Sequence, residues 1–497
     1  MTLLESLRQV AWENPFAKGR EVAERRVLGE GYQPLGNRGG LQYFSSNLEP
    51  LLKIMRGALG KLDRLKRPLT DLERTGYDEV VAFIHFHELI PEMDRVVDGA
   101  SPRMAWRKFQ QLMIATRQRR QDVGQWMPDE QLFAFFFQAR RAFRSIDRYV
   151  IGETEPAMVL RKEIWESIFG SDLRRYAWGF FRKLSEVHTL ISGPSGSGKE
   201  LVAQAIGLSR YLPFERQTEQ FVARPEDHFL AVNLAALPSE LMESELFGHA
   251  KGAFTGAWKE REGYFESSGE WGTVFLDEIG EVSLFMQAKL LRVLQSRTFR
   301  RVGENDLRQF RGRVVAATNR DPEEAVATGK MREDLFFRLN GDRIRTRGLK
   351  ELIDGKVEKL EPMLRYILGK NVVAEAVPDL VCRLLEIVEK RLGPHYPWPG
   401  NFRELEQFTR RVLVHGTYEP VIFQERLTED FFWSRAKGLQ LDYLELLGGY
   451  ARRVRRTTRS DREAANRLKV DPRTFKKWLR AGEGFELEGD RADPEAW

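Results

Sequence analysis

A glycine-rich stretch directly after an apolar run is the feature that most constrains the fold of this chain. The letters ISGPSGSGKE span residues 191–200 and continue the apolar run that begins at Val187. An apolar strand, a glycine-rich loop and a helix, in that order, form a P-loop, whose backbone N–H groups surround phosphates. Lys199 is expected to reach the β- and γ-phosphates of a nucleotide. The predicted nucleotide-binding residues of this loop are Gly193, Pro194, Ser195, Gly196, Ser197, Gly198, Lys199 and Glu200.

Around this loop, short apolar runs alternate with helical stretches. The runs VHTLISG, FLAVN, TVFLDE and RVVAATN all lie between residues 150 and 345. Such a pattern predicts a mainly parallel sheet covered by helices on both faces, hence an α/β fold class. Helical patterns dominate on either side of it. The predicted divisions are a mainly helical domain at 1–149, an α/β core at 150–350, a helical lid at 351–437, a helix-turn-helix at 438–485 and a tail at 486–497.

Two acids follow the apolar run TVFL. Because ligands of an open α/β sheet bind at the carboxyl ends of its strands, Asp277 and Glu278 are expected to lie near the phosphates. Glu200 stands where a P-loop normally carries the Ser or Thr that ligates Mg²⁺, so the metal is expected to depend on Asp277 instead. Glu278 is then suited to activate the attacking water. Thr318 and Asn319 end another apolar run and are suited to sense the γ-phosphate or position that water.

A second glycine-containing segment, HAKGAFTGAWKE, spans residues 249–260. Gly252 and Gly256 can adopt positive φ, so Phe254 and Thr255 could lie at the tip of a bendable loop. A turn that packs its aromatic side chain into a core is the other interpretation.

Together these motifs resemble the AAA+ activators of sigma-54 RNA polymerase, the bacterial enhancer-binding proteins. The resemblance covers roughly residues 150–480 and rests above all on the string from AVNLAALPSE to AKLLRVLQ that contains the second glycine loop. It implies an ATPase that uses ATP and Mg²⁺ and contacts sigma-54 through Phe254 and Thr255. It also implies that Glu200 is usual at this P-loop. The loop it assigns to the partner is Gly252, Ala253, Phe254, Thr255, Gly256 and Ala257.

The resemblance also assigns roles to residues that spacing alone does not. Asn233 matches a switch residue that pairs with the catalytic Glu in one nucleotide state. Arg332 and Arg338 match arginine fingers supplied to a neighbouring subunit, which implies a ring, expected to be a hexamer. Arg403, in YPWPGNFREL, matches a second sensor on the helical lid. One segment departs from the family pattern: GDRIRTRGLKELIDGKVEKL, after Asn340, lacks the usual prolines, so a looser joint to the lid is expected.

The chain has a net charge of +6, and its basic residues are concentrated near the end. Residues 451–480 contain 12 Lys or Arg and 3 acids. Ser460 with Glu463 predicts a helix start, and Asp471-Pro472 predicts a second one, so the pattern indicates a helix-turn-helix that binds double-stranded DNA. It resembles the Fis-type end of the same family, although Lys469 replaces the usual turn glycine. A solvated pair of charged helices is the alternative. The residues expected to face DNA are Arg473, Thr474, Lys476 and Lys477.

The first 150 residues do not show their task. No order of acidic residues typical of a receiver domain is found there, and we interpret the region as a helical regulatory or interaction domain. His85, His87 and Glu88 could bind a metal, but packing is the favoured interpretation. Cys382 is the single cysteine, and no run approaches a membrane span, so we expect a cytoplasmic protein with no membrane partner.

The sequence therefore predicts a DNA-bound activator that couples ATP hydrolysis in a ring to remodelling of the sigma-54 polymerase complex. Two alternatives stay open. The chain could be an AAA+ ATPase that remodels a different client, or a DNA-binding repressor whose ATPase sets its oligomeric state.

Overall fold

The computed structural model describes residues 2–33, 45–123, 127–152, 154–184, 186–420, 443–458 and 460–481. Two compact units make up the chain, Met1–Tyr418 and Glu419–Trp497. Within the described residues, no helix is long and apolar enough to cross a membrane. The predicted tail at 486–497 and part of the predicted lid, 421–437, lie outside the described residues.

The N-terminal region is helical, as its apolar periodicity predicts. Helix starts are specified locally: Thr2 with Glu5, and Thr70 with Glu73, form capping boxes that satisfy free backbone N–H groups. The helices are α1 Leu3–Trp12, α2 Lys18–Leu28, α3 Ser45–Asp63, α4 Asp71–Glu88, α5 Ile90–Val97, α6 Arg103–Arg119, α7 Asp129–Tyr149, α8 Glu155–Phe169, α9 Leu173–Arg175 and α10 Phe181–Leu184.

A five-stranded parallel sheet forms the centre of the first unit. Its strands are β1 Thr189–Ser192, β2 Phe229–Asn233, β3 Thr273–Asp277, β4 Arg313–Thr318 and β5 Asp342–Arg345, in the spatial order β5-β1-β4-β3-β2. The register pairs Ser192 with Thr318 and Asn233 with Asp277, so the polar carboxyl ends of the strands meet at one edge. The predicted α/β core is therefore confirmed, with β1 beginning two residues later than the apolar run at Val187.

Helices cover the sheet and continue into the lid. They are α11 Lys199–Gly207, α12 Ser239–Phe247, α13 Tyr264–Ser267, α14 Leu284–Ser296, α15 Pro322–Ala327, α16 Glu333–Leu339, α17 Leu349–Ile353, α18 Glu361–Gly369, α19 Val377–Ile387 and α20 Asn401–His415. Three two-stranded antiparallel pairs accompany them: Phe214–Glu215 with Gln220–Phe221, Gly248–His249 with Arg261–Glu262, and Thr298–Phe299 with Arg308–Gln309.

The N-terminal helices share a hydrophobic core with the sheet. Phe133 and Phe137 of α7 belong to the same buried cluster as Ile206 of α11 and Phe275 of β3. Polar contacts reinforce the packing, since Gln138 Nε2 donates to the Ser209 carbonyl at 2.9 Å. Helix α7 is therefore part of the body that holds the P-loop helix.

The second unit consists of three described helices, α21 Tyr443–Arg456, α22 Asp461–Arg467 and α23 Pro472–Ala481. Ser460 caps α22 by accepting the Glu463 N–H at 3.2 Å. The apolar faces meet around Phe475, which is fully buried between Ala451 and Ala465 in one small cluster. This arrangement has the two short helices and tight turn expected of a helix-turn-helix.

Candidate nucleotide site and partner-facing loop

The P-loop connects β1 to α11 with the backbone that its glycines permit. Gly193 has φ +153°, and a Cβ there would lie 2.2 Å from Thr346 Oγ1, so only glycine fits. Gly198 has φ +90° with nothing within 4 Å of a Cβ position, so this side of the loop is open. Lys199 Nζ donates to the carbonyls of Gly193 at 2.9 Å and Pro194 at 3.2 Å. The lysine is therefore held across the open loop, where phosphates bind in P-loops.

Burial lowers the pKa of Lys199, while the nearby Glu278 and Asp277 carboxylates act in the opposite direction. The side chain is largely buried, so its charge is weakly screened. Burial has deprived this ammonium group of hydrating water. A polyanion that entered the loop would stabilise its positive charge instead.

A cleft of about 340 Å³ lies in front of the P-loop. Its charged lining residues include Lys199 and Arg403, which suit a phosphate chain, together with Asp277 and Glu278. Its apolar lining residues include Tyr149, Val150, Ile151, Leu160, Met363, Tyr366 and Ile367. These apolar residues suit a flat apolar base, and the sequence analysis did not single them out because they come from three separate parts of the chain.

Asp277 and Glu278 lie at the carboxyl end of β3, as predicted. Asp277 Oδ1 accepts the Glu278 N–H at 3.0 Å, and Glu278 Oε2 accepts the Asn319 N–H at 3.2 Å. Glu278 has φ +55°, a left-handed conformation that costs a non-glycine residue energy and is often retained at functional sites. Burial raises the pKa of Glu278, against the lowering effect of the Asn319 bond and Lys199.

The chemistry of this donor set fits Mg²⁺. A small hard cation prefers carboxylate oxygens, water and phosphate oxygens, and Asp277 supplies a partly exposed carboxylate in the cleft. Glu200 is exposed on the first turn of α11 and also lines the cleft. The carboxylate of Asp277 is thus available to hold the metal, and this assignment stays a prediction from the sequence.

The two other polar strand ends lie in different surroundings. Asn233 is exposed, and its Oδ1 accepts the Ala236 N–H at 3.2 Å. Within the described chain, no hydrogen bond joins Asn233 to Glu278, so the expected switch pairing is not formed in this conformation. Thr318 is 1% exposed, and its Oγ1 accepts the Arg320 N–H at 3.2 Å.

The joint between sheet and lid is tightly hydrogen-bonded, contrary to the looser joint expected from the missing prolines. The segment after Asn340 forms the edge strand β5, and Thr346 Oγ1 then lies 2.6 Å from Ser197 Oγ. Asn401 bridges both parts, since its Nδ2 donates to the Ser195 carbonyl at 2.9 Å and its Oδ1 accepts the Leu349 N–H at 2.7 Å. Side-chain hydrogen bonds thus replace the stiffness that prolines would supply.

Arg403 follows this bridge on α20. Its Nη1 lies 3.4 Å from Ser195 Oγ, which places the guanidinium at the mouth of the P-loop. The position agrees with the sensor role that the resemblance implies, although the role itself stays a prediction.

Arg332 and Arg338 do not line the cleft of their own chain. Arg332 is exposed and pairs with Asp334 at 2.7 Å, and Arg338 Nε donates to the Leu294 carbonyl at 2.9 Å. Any contact between these arginines and a phosphate would therefore have to be made in another subunit or after a rearrangement.

The loop at residues 252–257 protrudes from the small antiparallel pair Gly248–His249 and Arg261–Glu262. Gly252 and Gly256 have φ +81° and +100°, and the Gly252 N–H donates to the Ala257 carbonyl at 2.8 Å. Phe254 is 41% exposed, and its ring meets the ring of His249 with centroids 5.0 Å apart. The interpretation as an exposed loop tip is therefore favoured over a core-packing turn.

The base of this loop is held firmly. Arg301 is buried and forms ion pairs with Glu266 at 2.8 Å and with Glu260 at 3.0 Å. Next to the loop, Trp258 is 84% exposed, an apolar side chain of the same surface that the sequence analysis did not single out.

In the second unit, the four residues predicted to face DNA are all exposed on α23: Arg473, Thr474, Lys476 and Lys477. Lys469, in the turn before this helix, has φ +54°. Lysine thus adopts the left-handed conformation that a turn glycine would take more easily.

The histidines of the N-terminal region pack rather than cluster. His85 Nε2 lies 2.9 Å from Thr116 Oγ1, and His87 Nδ1 lies 2.8 Å from the Phe83 carbonyl. Across the described residues, no group of three or more His, Cys, Asp or Glu is placed to hold a metal ion.

The α/β core of this chain matches a known protein family. The model of the sigma-54 interaction domain matches residues 181–345, which contain the P-loop, both carboxylates and the Phe254 loop. Residues 181–345 are a sigma-54 interaction domain. This domain has the AAA+ P-loop fold, and the resemblance noted from the sequence is confirmed for it. Arg403 and the helix-turn-helix lie outside the matched segment.

The similar proteins match this chain over about half of its length. The chain is 45% identical to the Nif-specific regulatory protein of Azotobacter vinelandii over 45% of its length and 39% of that protein. It is 42% identical to the regulatory protein AtoC of Escherichia coli (strain K12) over 49% of its length and 48% of that protein. The chain thus spans less than half the length of these relatives. A crystal structure of NtrX from Brucella abortus aligns with 75% of this chain and 75% of its own at 20% identity and a TM-score of 0.39.

Proposed function

We propose that this protein hydrolyses ATP to activate sigma-54 RNA polymerase from DNA-bound rings. One observation carries the proposal: an exposed aromatic side chain, Phe254, lies on a glycine-bounded loop within a sigma-54 interaction domain. In the chain, that loop lies between β2 and β3, whose ends carry Asn233 and the Asp277-Glu278 pair. Because the loop is joined at both ends to these strands, gain or loss of the γ-phosphate can shift the loop between two arrangements.

The chemistry needs few groups, because phosphoryl transfer depends mainly on positioning and charge neutralisation. Water attacks the γ-phosphorus, Glu278 accepts a proton from it, and the bond to the β,γ-bridging oxygen breaks to release ADP and phosphate. Lys199 stabilises the charge on the β- and γ-oxygens. Asp277 would hold Mg²⁺, which would supply positive charge against the phosphate oxygens. Arg332 and Arg338 are proposed to complete this neutralisation in the adjacent subunit.

Binding of a partner would bury the exposed tip. Full burial of an exposed Phe side chain is worth about 1.5–3 kcal/mol, so burying the 41% of Phe254 that is exposed would contribute roughly 1 kcal/mol to a complex. Thr255 is the adjacent exposed residue with a hydroxyl group that can hydrogen-bond the partner. Sigma-54 is the proposed partner, and the remaining loop residues set the shape of the tip.

The exposed basic face of α23 supports binding to double-stranded DNA. In a helix-turn-helix the second helix enters the major groove, and basic side chains near it neutralise phosphates. We propose that Arg473, Thr474, Lys476 and Lys477 contact DNA, which would concentrate the rings upstream of a promoter.

The hydrolytic half of the proposal is tested with Glu278→Gln. Removing the carboxylate leaves no base for the attacking water, so ATP turnover should fall by about 100-fold or more while nucleotide binding persists. Glu281→Gln is the matched control, since Glu281 lies three residues away and pairs with Arg320 at 2.7 Å. Turnover by Glu278→Gln within threefold of wild type would contradict the assigned role.

The mechanical half is tested with Thr255→Ala. This variant should hydrolyse ATP normally yet fail to open a sigma-54 promoter complex in a reconstituted transcription assay. Thr218→Ala, an exposed threonine on a different loop, serves as the control and should behave as wild type. Normal activation by Thr255→Ala would exclude the loop mechanism. If the wild-type protein turned over ATP but did not bind sigma-54, remodelling of another client would be favoured. If it bound DNA and only repressed transcription, the repressor alternative would be favoured.

A further inference from the structure

The N-terminal region encloses an apolar cavity of about 350 Å³ that the proposed function does not use. The aromatic side chains of its walls come from α1, α4, α7 and α8 and are Trp12, Phe83, Phe86, Phe135, Phe136 and Trp165. In another protein, a dry cavity of roughly 150 Å³ binds benzene. The space here is thus large enough for a bicyclic molecule.

The charged groups around the cavity are balanced, and three of the four are in ion pairs. Two acids, Glu13 and Glu79, and two bases, Arg20 and Arg140, contribute to the walls. Glu79 pairs with Arg8 at 2.6 Å, Arg20 with Glu24 at 2.6 Å, and Arg140 with Asp94 at 2.7 Å. Glu13 lies next to Gly19 in the first turn of α2, where a carboxylate is stabilised by the helix dipole. Both arginines are already paired, and Glu13 is stabilised at the start of α2, so the walls favour a neutral ligand.

His87 supplies one specific polar contact in this apolar space. Its Nδ1 lies 2.8 Å from the Phe83 carbonyl, which can only accept, so Nδ1 carries the proton. Burial lowers the pKa of His87 to about 4, so the ring is neutral near pH 7 and Nε2 is a free acceptor. Nε2 has no hydrogen bond to any residue in the described part of the chain, while the His87 ring lines the cavity. An acceptor of this kind selects a ligand with an N–H or O–H donor.

We propose that this cavity is a binding site for a small neutral aromatic molecule, of one or two rings, that donates one hydrogen bond to His87 Nε2. Aromatic side chains on several walls would contact the faces and edges of its rings. The cavity is placed so that a bound ligand can act on the P-loop helix through α7. Phe135, Phe136 and Ala139 of α7 line the cavity, while Gln138 of the same helix bonds to Ser209, just beyond the P-loop helix.

The test uses full-length protein and a matched pair of probes, indole and 1-methylindole, in isothermal titration calorimetry. The two molecules differ by one methyl group and by the N–H donor. We expect wild type to bind indole about three- to tenfold more tightly than 1-methylindole, the factor that one net hydrogen bond supplies. Equal affinities, or no binding of indole up to millimolar concentration, would overturn the proposal.

Two variants locate the binding. His87→Phe keeps an aromatic ring but removes the acceptor, so the preference for indole should vanish, whereas His415→Phe, on the exposed end of α20, should keep it. Ala139→Leu places a larger side chain in the cavity and should weaken both probes at least tenfold, while Ala115→Leu, exposed on α6, should not. Unchanged binding by Ala139→Leu would show that the probes bind elsewhere and would reject the site. Thermal unfolding of each variant establishes that it is folded, and none of these measurements depends on ATP hydrolysis.

Discussion

Individual residues in this protein are often held in states that cost free energy. Glu278 adopts a left-handed backbone conformation at the end of β3, and Lys199 is largely buried with a lowered pKa. Both lie at the nucleotide cleft, where such costs have a functional counterpart. His188 presents a different case, because it is buried directly before β1 and does not line the cleft.

The pH dependence of stability should reveal His188. This side chain is 1% exposed, and burial, with the charges of Arg297, Arg338 and Arg313 nearby, lowers its pKa from 6.5 to about 3. Between these values the unfolded state binds a proton that the folded state does not, so the free energy of unfolding falls as pH decreases through this window. One such group contributes a slope of up to about 1.4 kcal/mol per pH unit.

The measurement is urea unfolding of wild type and His188→Leu from pH 7.5 to pH 5. The variant should lose stability less steeply with decreasing pH than wild type. His415→Leu, in which an exposed histidine is replaced, should reproduce the wild-type slope. Parallel curves for wild type and His188→Leu would show that His188 protonates equally in both states.

At the scale of elements, the turn between α22 and α23 has a lysine at a position whose backbone conformation favours glycine. Lys469 takes φ +54°, with its N–H donating to Asn466 and the next N–H, that of Val470, to Ala465, both at 3.0 Å. This pattern is a Schellman motif, which glycine usually completes. The unusual residue at this turn therefore does not abolish the turn, because the two hydrogen bonds hold it.

Replacing Lys469 by glycine should stabilise the second unit. A left-handed conformation costs an L-residue with a Cβ about 1–2 kcal/mol, partly offset by the greater freedom of glycine in the unfolded chain, so we expect a gain of about 1 kcal/mol. Hydrogen exchange of the amides in α22 and α23 would detect slower opening in Lys469→Gly than in wild type. Lys469→Ala separates the backbone effect from the loss of the charge, since alanine keeps the Cβ, and stabilisation by both variants alike would contradict the backbone explanation.

At the scale of the whole molecule, the N-terminal helices and the AAA+ core are physically continuous. The division predicted near residue 150 passes through a shared hydrophobic cluster that includes Phe133, Phe137, Ile206 and Phe275. Deleting residues 1–149 should therefore expose apolar surface and give an aggregation-prone protein. Light scattering and thermal unfolding would check this, and co-expression of residues 1–149 as a separate fragment should restore solubility. A soluble, fully stable truncation would show that the two parts fold independently.

The positions of Arg332 and Arg338, outside the cleft of their own chain, lead to a prediction about assembly. If a site combines Lys199 of one subunit with Arg332 of the next, Lys199→Ala and Arg332→Ala should each be inactive alone. Random mixing of the two in a ring would restore about a quarter of the sites, because both subunits at a boundary must carry the intact residue. ATP turnover should therefore reappear on mixing. Mixtures that remain inactive at every ratio would argue against a shared site.

The sequence by itself determined the elements whose signals are local. A strand, a glycine loop and a helix follow each other within about a dozen residues, so the P-loop and the Asp277-Glu278 pair were predictable from order and spacing. The two glycines that flank Phe254 predicted a bendable loop in the same way, but the structure decided that the ring is exposed and not packed in the core. Backbone preferences act over a few residues and can be read there.

Only the tertiary structure decided the contacts between distant segments. Thr346 and Asn401 meet the P-loop from far along the chain, which is why the joint is tighter than the segment after Asn340 suggested. The same holds for Asn233, which caps its own turn, and for the cavity at His87. Such contacts depend on how whole helices and strands pack, and no short stretch of sequence encodes that geometry.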